Sequence, residues 1–342
     1  MTDFSRKLNL AALATTSGVP GWFRDMVQLT RPAGVVSEQT YWTAPKDGKF
    51  ASGDRPMTLR VSIRNGYVNF YCGGQSVGKV WFGKTLRGEV HYKYLHDKEI
   101  PGKDYVGIAT VETDYPEHGR LKKWIDRTHK YQGAEKLFVD RIFGANPTLI
   151  DLEAALPGAD MLDKDGERVL DAKTGKEKVI APRIDLVGLE KAPNIPGWRI
   201  VFWEAKNVKD GRIRSTGTPE VIKQLKAYKD WFAKEEVEQK LRDAYYETCN
   251  ALVDLNEWAN VQGLSVGDID PAISAVAKNK DLLLGVDPVV RLLIDHPKYD
   301  ERFCDVHLPK LVKEEIPIHM VNEGMKFDLP TKAAMPRTPI CK

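Results

Sequence analysis

Apolar and polar positions alternate most cleanly between residues 59 and 71. Leu59, Val61 and Ile63 alternate with Arg60, Ser62 and Arg64, Asn65-Gly66 interrupts, and Val68 and Phe70 then alternate with Tyr67, Asn69 and Tyr71. A period of two on both sides of Asn-Gly predicts a β-hairpin. Further strands are expected at 77–82 and 88–94, giving a small β-rich N-terminal domain. Residues 1–56 carry Pro32, Pro45 and Pro56 among small polar residues and predict one short helix, at 8–13.

The pattern changes after Tyr115-Pro116. Residues 119–144 read as helix, with Leu121, Trp124, Ile125, Leu137, Phe138 and Ile142 apolar and an interruption near Gly133. Residues 147–156 read as a strand on which Asp151 and Glu153 share a face as solvated edge acids. Residues 160–178, polar and rich in Gly and Lys, read as a surface excursion. Two β-branched and aromatic runs follow, 184–189 and 198–206, joined across Pro193, Pro196 and Gly197. They predict adjacent strands of one hairpin. Thr218 then suits an N-cap and Pro219 the first helical position, and Val221, Leu225, Tyr228 and Phe232 form one apolar stripe. A long helix is expected over 235–259, and mostly helix over 271–313 with breaks at Gly285, Pro288 and Pro297. A last strand is expected at 316–321. The chain divides into a β-rich domain (1–116), an α/β domain with a C-terminal helical part (117–330) and an extended tail (331–342).

The second hairpin carries the chemistry. Strand alternation sends Glu204 and Lys206 to one face and Ala205 to the other. Asp185 reaches the same spot if the register sets it opposite Glu204, which the connection permits without dictating. Two carboxylates at one spot repel unless a cation lies between them, and hard oxygen ligands suit Mg²⁺ or Mn²⁺. On the helix that follows, Gln224 and Tyr228 are four apart and share a face.

Asp185, Glu204-Ala205-Lys206 and Gln224-Leu225-Lys226-Ala227-Tyr228, in that order, resemble the PD-(D/E)XK nuclease superfamily, in the RecB-like branch that carries a QxxxY helix. The resemblance covers residues 135–232. It implies a restriction-endonuclease-like mixed sheet flanked by helices, and metal-dependent hydrolysis of phosphodiester bonds. In that frame Asp185, Glu204 and the Ala205 carbonyl hold one or two Mg²⁺ or Mn²⁺, and Glu135 completes the ligand set. Lys206 orients the attacking water or stabilises the transition state as a positive charge near the phosphorus; Gln224 and Tyr228 steady the nucleic acid backbone or the ligand shell. His129, a ligand in some relatives, is six residues from Glu135 and shares its face only if the helix breaks at Gly133. DNA is the favoured substrate and RNA the alternative, cut from an end or internally, in recombination, repair or phage-related processing. A separate helicase or recombination partner fits the branch. The rival reading is a non-catalytic nucleic-acid-binding or regulatory module whose acids are neutralised by neighbouring lysines.

Charge sharpens this reading only through its distribution. The net charge is +3, but residues 119–234 hold 23 Lys and Arg against 17 Asp and Glu. Lys209, Arg212 and Arg214 crowd a loop beside the site with Asp210 opposing them, and Lys223, Lys226 and Lys229 extend the sign along the helix. These are the candidate phosphodiester contacts, Lys223 foremost on the helix. Upstream, Lys79, Lys84, Arg87, His91 and Lys93 lie among Trp81, Phe82, Tyr92 and Tyr94. That mixture fits either a stacking platform for a nucleic acid strand or a sheet with an aromatic core and a solvated lysine face. Gly73-Gly74-Gln75-Ser76-Val77-Gly78-Lys79-Val80 mimics a phosphate-binding loop, yet Val80 stands where a hydroxyl is needed, so a hairpin turn is expected. The four cysteines, at 72, 249, 304 and 341, form no CxxC pair and suggest a reduced, cytoplasmic setting. His307 and His319 read as structural. No run of 18 apolar residues points to a membrane.

Overall fold

A computed structural model of the chain describes residues 4–14, 19–34, 58–95, 105–108, 124, 127–156, 159–160, 170, 179–180, 182–264, 266–336, 339 and 341. Helix α1 (Gly21–Gln28) precedes the first hairpin, in which β1 (Arg60–Arg64) and β2 (Tyr67–Cys72) pair with Ile63 opposite Val68. β3 (Gln75–Phe82) follows through Gly73-Gly74, whose φ values are 51° and 72°. Positive φ at both central residues is what a type I′ hairpin turn requires, and a side chain at Gly74 would meet the Lys136 carbonyl at 2.7 Å. The string that mimics a phosphate loop is therefore turn and strand. β4 (Leu86–His91) stops short of the expected residue 94 because Tyr92–Leu95 wind into a single helical turn, α2. With β5 (Tyr105–Gly107) the sheet is antiparallel, in the order β1-β2-β3-β4-β5. Val68, Phe70, Val80, Phe82 and Val90 are buried on one side of it, and the ring of Phe23 from α1 packs edge-on at 6.4 Å from Phe70 and 5.7 Å from Phe82. Each such side chain contributes about 1.5–3 kcal/mol by leaving water. A 3₁₀ turn, Leu10–Leu13, capped by Asn9, stands where a short helix was expected.

Helix α3 (Ala134–Ala145) starts directly after Gly133, where the interruption was read, and a 3₁₀ turn at His129–Tyr131 precedes it. Then come β6 (Leu149–Ala155), the small pair β7 (Ala159–Asp160) and β8 (Val179–Ile180), β9 (Arg183–Lys191) and β10 (Trp198–Asn207). Helices α4 (Glu220–Phe232), α5 (Val237–Val261) and α6 (Pro271–Lys278) lead to β11 (Leu283–Val286), β12 (Arg291–His296), α7 (Leu308–Lys313) and β13 (Ile318–Asn322). The second large sheet runs β13-β12-β10-β9-β6, with β11 also on β10. β6, β9 and β10 are antiparallel, whereas β11 and β12 run parallel to β10, and β13 parallel to β12.

Three expectations are corrected here. Residues 283–286 and 291–296 are strands rather than helix: Leu283, Arg291, Leu292, Leu293 and Ile294 are all buried, and a strand covered on both faces loses its alternation. Asp151 and Glu153 are not solvated acids. Asp151 is 0% and Glu153 8% exposed, although β6 is an edge strand. Cys304 and Cys341 are joined as a disulfide across 37 residues, which spacing alone did not reveal; Cys72 and Cys249 are free and buried. The tail read as extended is tied down there and at Lys332, whose backbone N–H donates to Glu190 Oε2 at 3.1 Å.

The class is mixed α/β, with two large sheets and seven helices among the described residues. The chain divides into two compact units, one of Met1–Ser5, Leu149–Tyr246 and Asn279–Lys342, the other of Arg6–Thr148 and Glu247–Lys278. The boundary expected at 116, most of the 160–178 excursion and the proline-bearing 35–57 lie outside the described residues, as does the His129 side chain. No helix among the described residues is long and apolar enough to cross a membrane.

Candidate active site

The register left open by the sequence is fixed by the β9–β10 pairing. Val201 lies opposite Gly188, Phe202 opposite Val187 and Trp203 opposite Leu186, where the pairing ends, and Glu204 and Asp185 are the next residues on the two strands. Directly opposed residues of an antiparallel pair point to the same side. Asp185 Oδ2 accepts the Ala205 N–H at 2.8 Å, which pins the two strands at this point. Helix α4 covers the same side: the Phe232 and Phe202 rings lie 4.7 Å apart, and Val221, Leu225, Tyr228, Trp231 and Phe232 are its buried positions. The helix opens with Pro219 rather than Thr218 at its cap, without a side-chain cap bond.

From α4, Gln224 Nε2 donates to Glu204 Oε1 at 2.8 Å and to the Tyr228 hydroxyl oxygen at 2.6 Å. Lys206 Nζ donates to Glu204 Oε1 and, at 2.9 Å, to the Ala205 carbonyl. Tyr228 has one proton and two oxygens within reach, the Arg183 carbonyl at 2.8 Å and Glu204 Oε2 at 3.0 Å. A neutral Glu204 satisfies all of these contacts, because its own proton then goes to the tyrosine oxygen and the tyrosine proton to Arg183.

Electrostatics favour that neutral form. Glu204 is 2%, Lys206 1% and Asp185 6% exposed. Burial first, and the Asp185 carboxylate second, push the Glu204 carboxyl up to about 8, against the opposing pull of Lys206 and Tyr228. The Tyr228 hydroxyl is raised as well, by burial and then by Glu204. Two carboxyls and an ammonium thus lie close together in a dry place. Hard oxygens of Asp185, Glu204 and the Ala205 carbonyl suit a divalent cation, and Lys206 Nζ already stands as a cation against two of those three groups.

Glu135 is in the first turn of α3, which belongs to the other compact unit. Lys209 and Lys223 are exposed. Arg212 forks onto Asp210, its Nε 3.0 Å from Oδ1, and Arg214 pairs with Asp300 at 2.6 Å, an acid 86 residues away that local reading misses. Lys310 Nζ adds a cation to the same loop through the carbonyls of Ser215, Thr216 and Gly217. Among acids passed over as solvated, Asp151 accepts its neighbour's N–H at Leu152 and faces the Tyr245 hydroxyl at 3.4 Å. Glu153 holds φ at 52° and meets Arg183 at 3.8 Å. Acids on an otherwise apolar strand were the signal in the sequence for either.

In the other unit, the aromatic and basic residues of β2–β5 divide by face. Phe82 and Tyr94 are buried, but Tyr67, Lys79, Trp81 and Tyr105 are half-buried on the side away from Val68 and Val80. Lys79 Nζ lies 3.6 Å from the Tyr105 ring centre, and the Tyr67 and Trp81 rings are 4.4 Å apart. Trp81 is thus not part of an aromatic core. Compared with family models, with curated proteins and with solved structures, the chain matches none.

Proposed function

We propose that this chain is a metal-dependent nuclease of the PD-(D/E)XK kind, hydrolysing phosphodiester bonds, with DNA the favoured substrate. The observation that carries the reading is a convergence: Asp185 accepts the Ala205 N–H beside Glu204, with Lys206 on Glu204 and the Gln224–Tyr228 pair closing over it. A mixed sheet with helix α4 against it agrees with the restriction-endonuclease-like fold the resemblance implies.

Asp185, Glu204 and the Ala205 carbonyl would hold Mg²⁺ or Mn²⁺. What the ion supplies when bound is a more acidic water and neutralisation of charge at the phosphate. Lys206 brings a buried positive charge and three N–H donors for negative charge developing on the phosphate oxygens. Gln224 and Tyr228 keep the Glu204 carboxylate in one orientation. Lys209 and Lys223, both exposed, are proposed to meet the phosphodiester backbone, while Arg212 and Arg214 already have acidic partners and shape the loop.

A second reading, a binding module without catalysis, is favoured by one observation: Lys206 Nζ already bonds two of the proposed ligand groups. The deciding experiment incubates linear, circular and single-stranded DNA, and RNA, with and without Mg²⁺, and compares wild type with Lys206→Ala. Cleavage that needs Mg²⁺ and falls by roughly 10²–10³-fold in the variant supports the nuclease. Binding without cleavage of any of the four substrates in Mg²⁺ or Mn²⁺ replaces it with the module.

A further inference from the structure

We propose that His296, Cys304 and Cys341 form a zinc site, available when the two cysteines are reduced. One ligand atom from each lies within 4.8 Å of the others. His296, the last residue of β12, is 1% exposed, and its Nε2 is 4.0 Å from Cys304 Sγ. The imidazole tautomer follows from its neighbours. The Asp300 N–H can only donate, and it meets Nε2 at 3.3 Å, so Nε2 carries the lone pair and the proton is on Nδ1. Nδ1 then donates to Asn322 Oδ1 at 2.8 Å. Metal-binding histidines are held in the same way, with one nitrogen anchored to an oxygen; here the lone pair on the other accepts the Asp300 N–H, which the ion would displace.

Two thiolates and an imidazole favour Zn²⁺ over the hard cations suited to Asp185 and Glu204, so the two sites select different metals. The fourth position of a tetrahedral ion is left for water. In the oxidised chain Cys304 and Cys341 are covalently joined. Two equivalents of a monothiol such as glutathione convert that bond to two cysteine thiols and one oxidised monothiol. Zinc then binds the two sulfurs and Nε2 with release of the two thiol protons. Either way residue 341 stays fastened to the Phe303–His307 segment, by a covalent bond or through the ion.

The inference does not depend on the nuclease reading. The full chain is reduced anaerobically and its four thiols counted. It is then titrated with Co²⁺ and Zn²⁺ while absorption, retained metal and melting temperature are recorded. Expected are one metal per chain, a thiolate-to-cobalt charge-transfer band that zinc displaces, and a higher melting temperature, none of which the oxidised chain gives. Cys341→Ser, a change in the tail, lowers zinc affinity at least about tenfold, as does His296→Gln. Asp185→Ala leaves zinc binding intact and so separates this site from the other. Reduced wild type that binds zinc no better than Cys341→Ser overturns the proposal, as does a disulfide that survives the reductant.

Discussion

The two faces of the β9–β10–β12 sheet handle buried acids in opposite ways. On one face Lys206 Nζ pairs with Glu204, and Asp185 accepts the Ala205 N–H. On the other, Arg291 forks onto Glu190 at 2.6 and 2.9 Å, reaches Asp287 at 3.2 Å and lies 5.1 Å from the Trp203 ring centre, while Lys332 supplies a second cation to Asp287 at 3.3 Å. Two acids with two bases make a balanced cluster that holds β9, β11 and β12 together. On the first face burial, and then the nearby Asp185 carboxylate, raise the Glu204 carboxyl to about 8. On the proposed reading, the first face is the one that takes up a cation.

The largest contrast is expected from Asp185→Asn. Asparagine keeps an oxygen for the Ala205 N–H but loses the negative charge that a cation needs, so cleavage falls to background and the Mg²⁺-induced rise in melting temperature disappears. The metal-free fold is as stable as wild type or more so. Arg291→Met should do the reverse. Glu190 and Asp287 lose their shared partner, and urea denaturation should show a loss of roughly 3 kcal/mol, with the Mg²⁺ response retained. An Arg291 variant that keeps its stability but loses the metal response would break the comparison.

A smaller effect follows from the raised Glu204 carboxyl. In the unfolded chain a glutamate titrates near about 4.3. Between there and about 8 the folded chain holds a proton that the unfolded chain has released. Stability without metal therefore falls as pH rises through that window and levels off above it. A divalent cation needs the ionised carboxylate, so apparent Mg²⁺ affinity rises over the same window. Melting curves from pH 5 to 9, with and without Mg²⁺, test both slopes, and Glu204→Gln should flatten both. Stability that climbs with pH in wild type but not in Glu204→Gln would contradict the assignment.

Legibility in the sequence tracked how local each signal was. Glu204, Lys206, Gln224 and Tyr228 could be read because strand and helix periods put them on defined faces within a few residues of one another. Their convergence with Asp185 could not, since a hairpin connection of that length allows several registers and only the observed pairing selects one. β12 was hidden by its own burial, as an apolar run without alternation fits helix and strand alike. The balanced cluster joins Glu190 to Arg291 across 101 residues, and the Cys304–Cys341 bridge spans 37, so neither leaves a local trace. Asp151 and Glu153 were misread because polarity on an edge strand suggests water, whereas the coordinates bury both.

The smallest effect, and the sharpest on the site's interior, is expected from Gln224. Its amide has two N–H groups and spends them on Glu204 Oε1 and the Tyr228 oxygen, so it orients the acid without adding charge. The side chain is only half-buried, and replacing it by alanine should cost under about 1.5 kcal/mol of stability. Freed of this donor, Glu204 rotates against Lys206 and Tyr228, and ligand geometry loosens by an amount that outer-shell partners of metal ligands set at about 10–100-fold in activity or metal affinity. Gln224→Ala should therefore raise the Mg²⁺ concentration for half-maximal cleavage while leaving the melting temperature without metal nearly unchanged. Gln224→Glu, by adding a third acid, should raise the melting temperature gained on Mg²⁺ addition and lower stability in its absence. A variant pair that shifts the two melting temperatures in parallel would mean that Gln224 only packs, and that the positioning role belongs to Tyr228 alone.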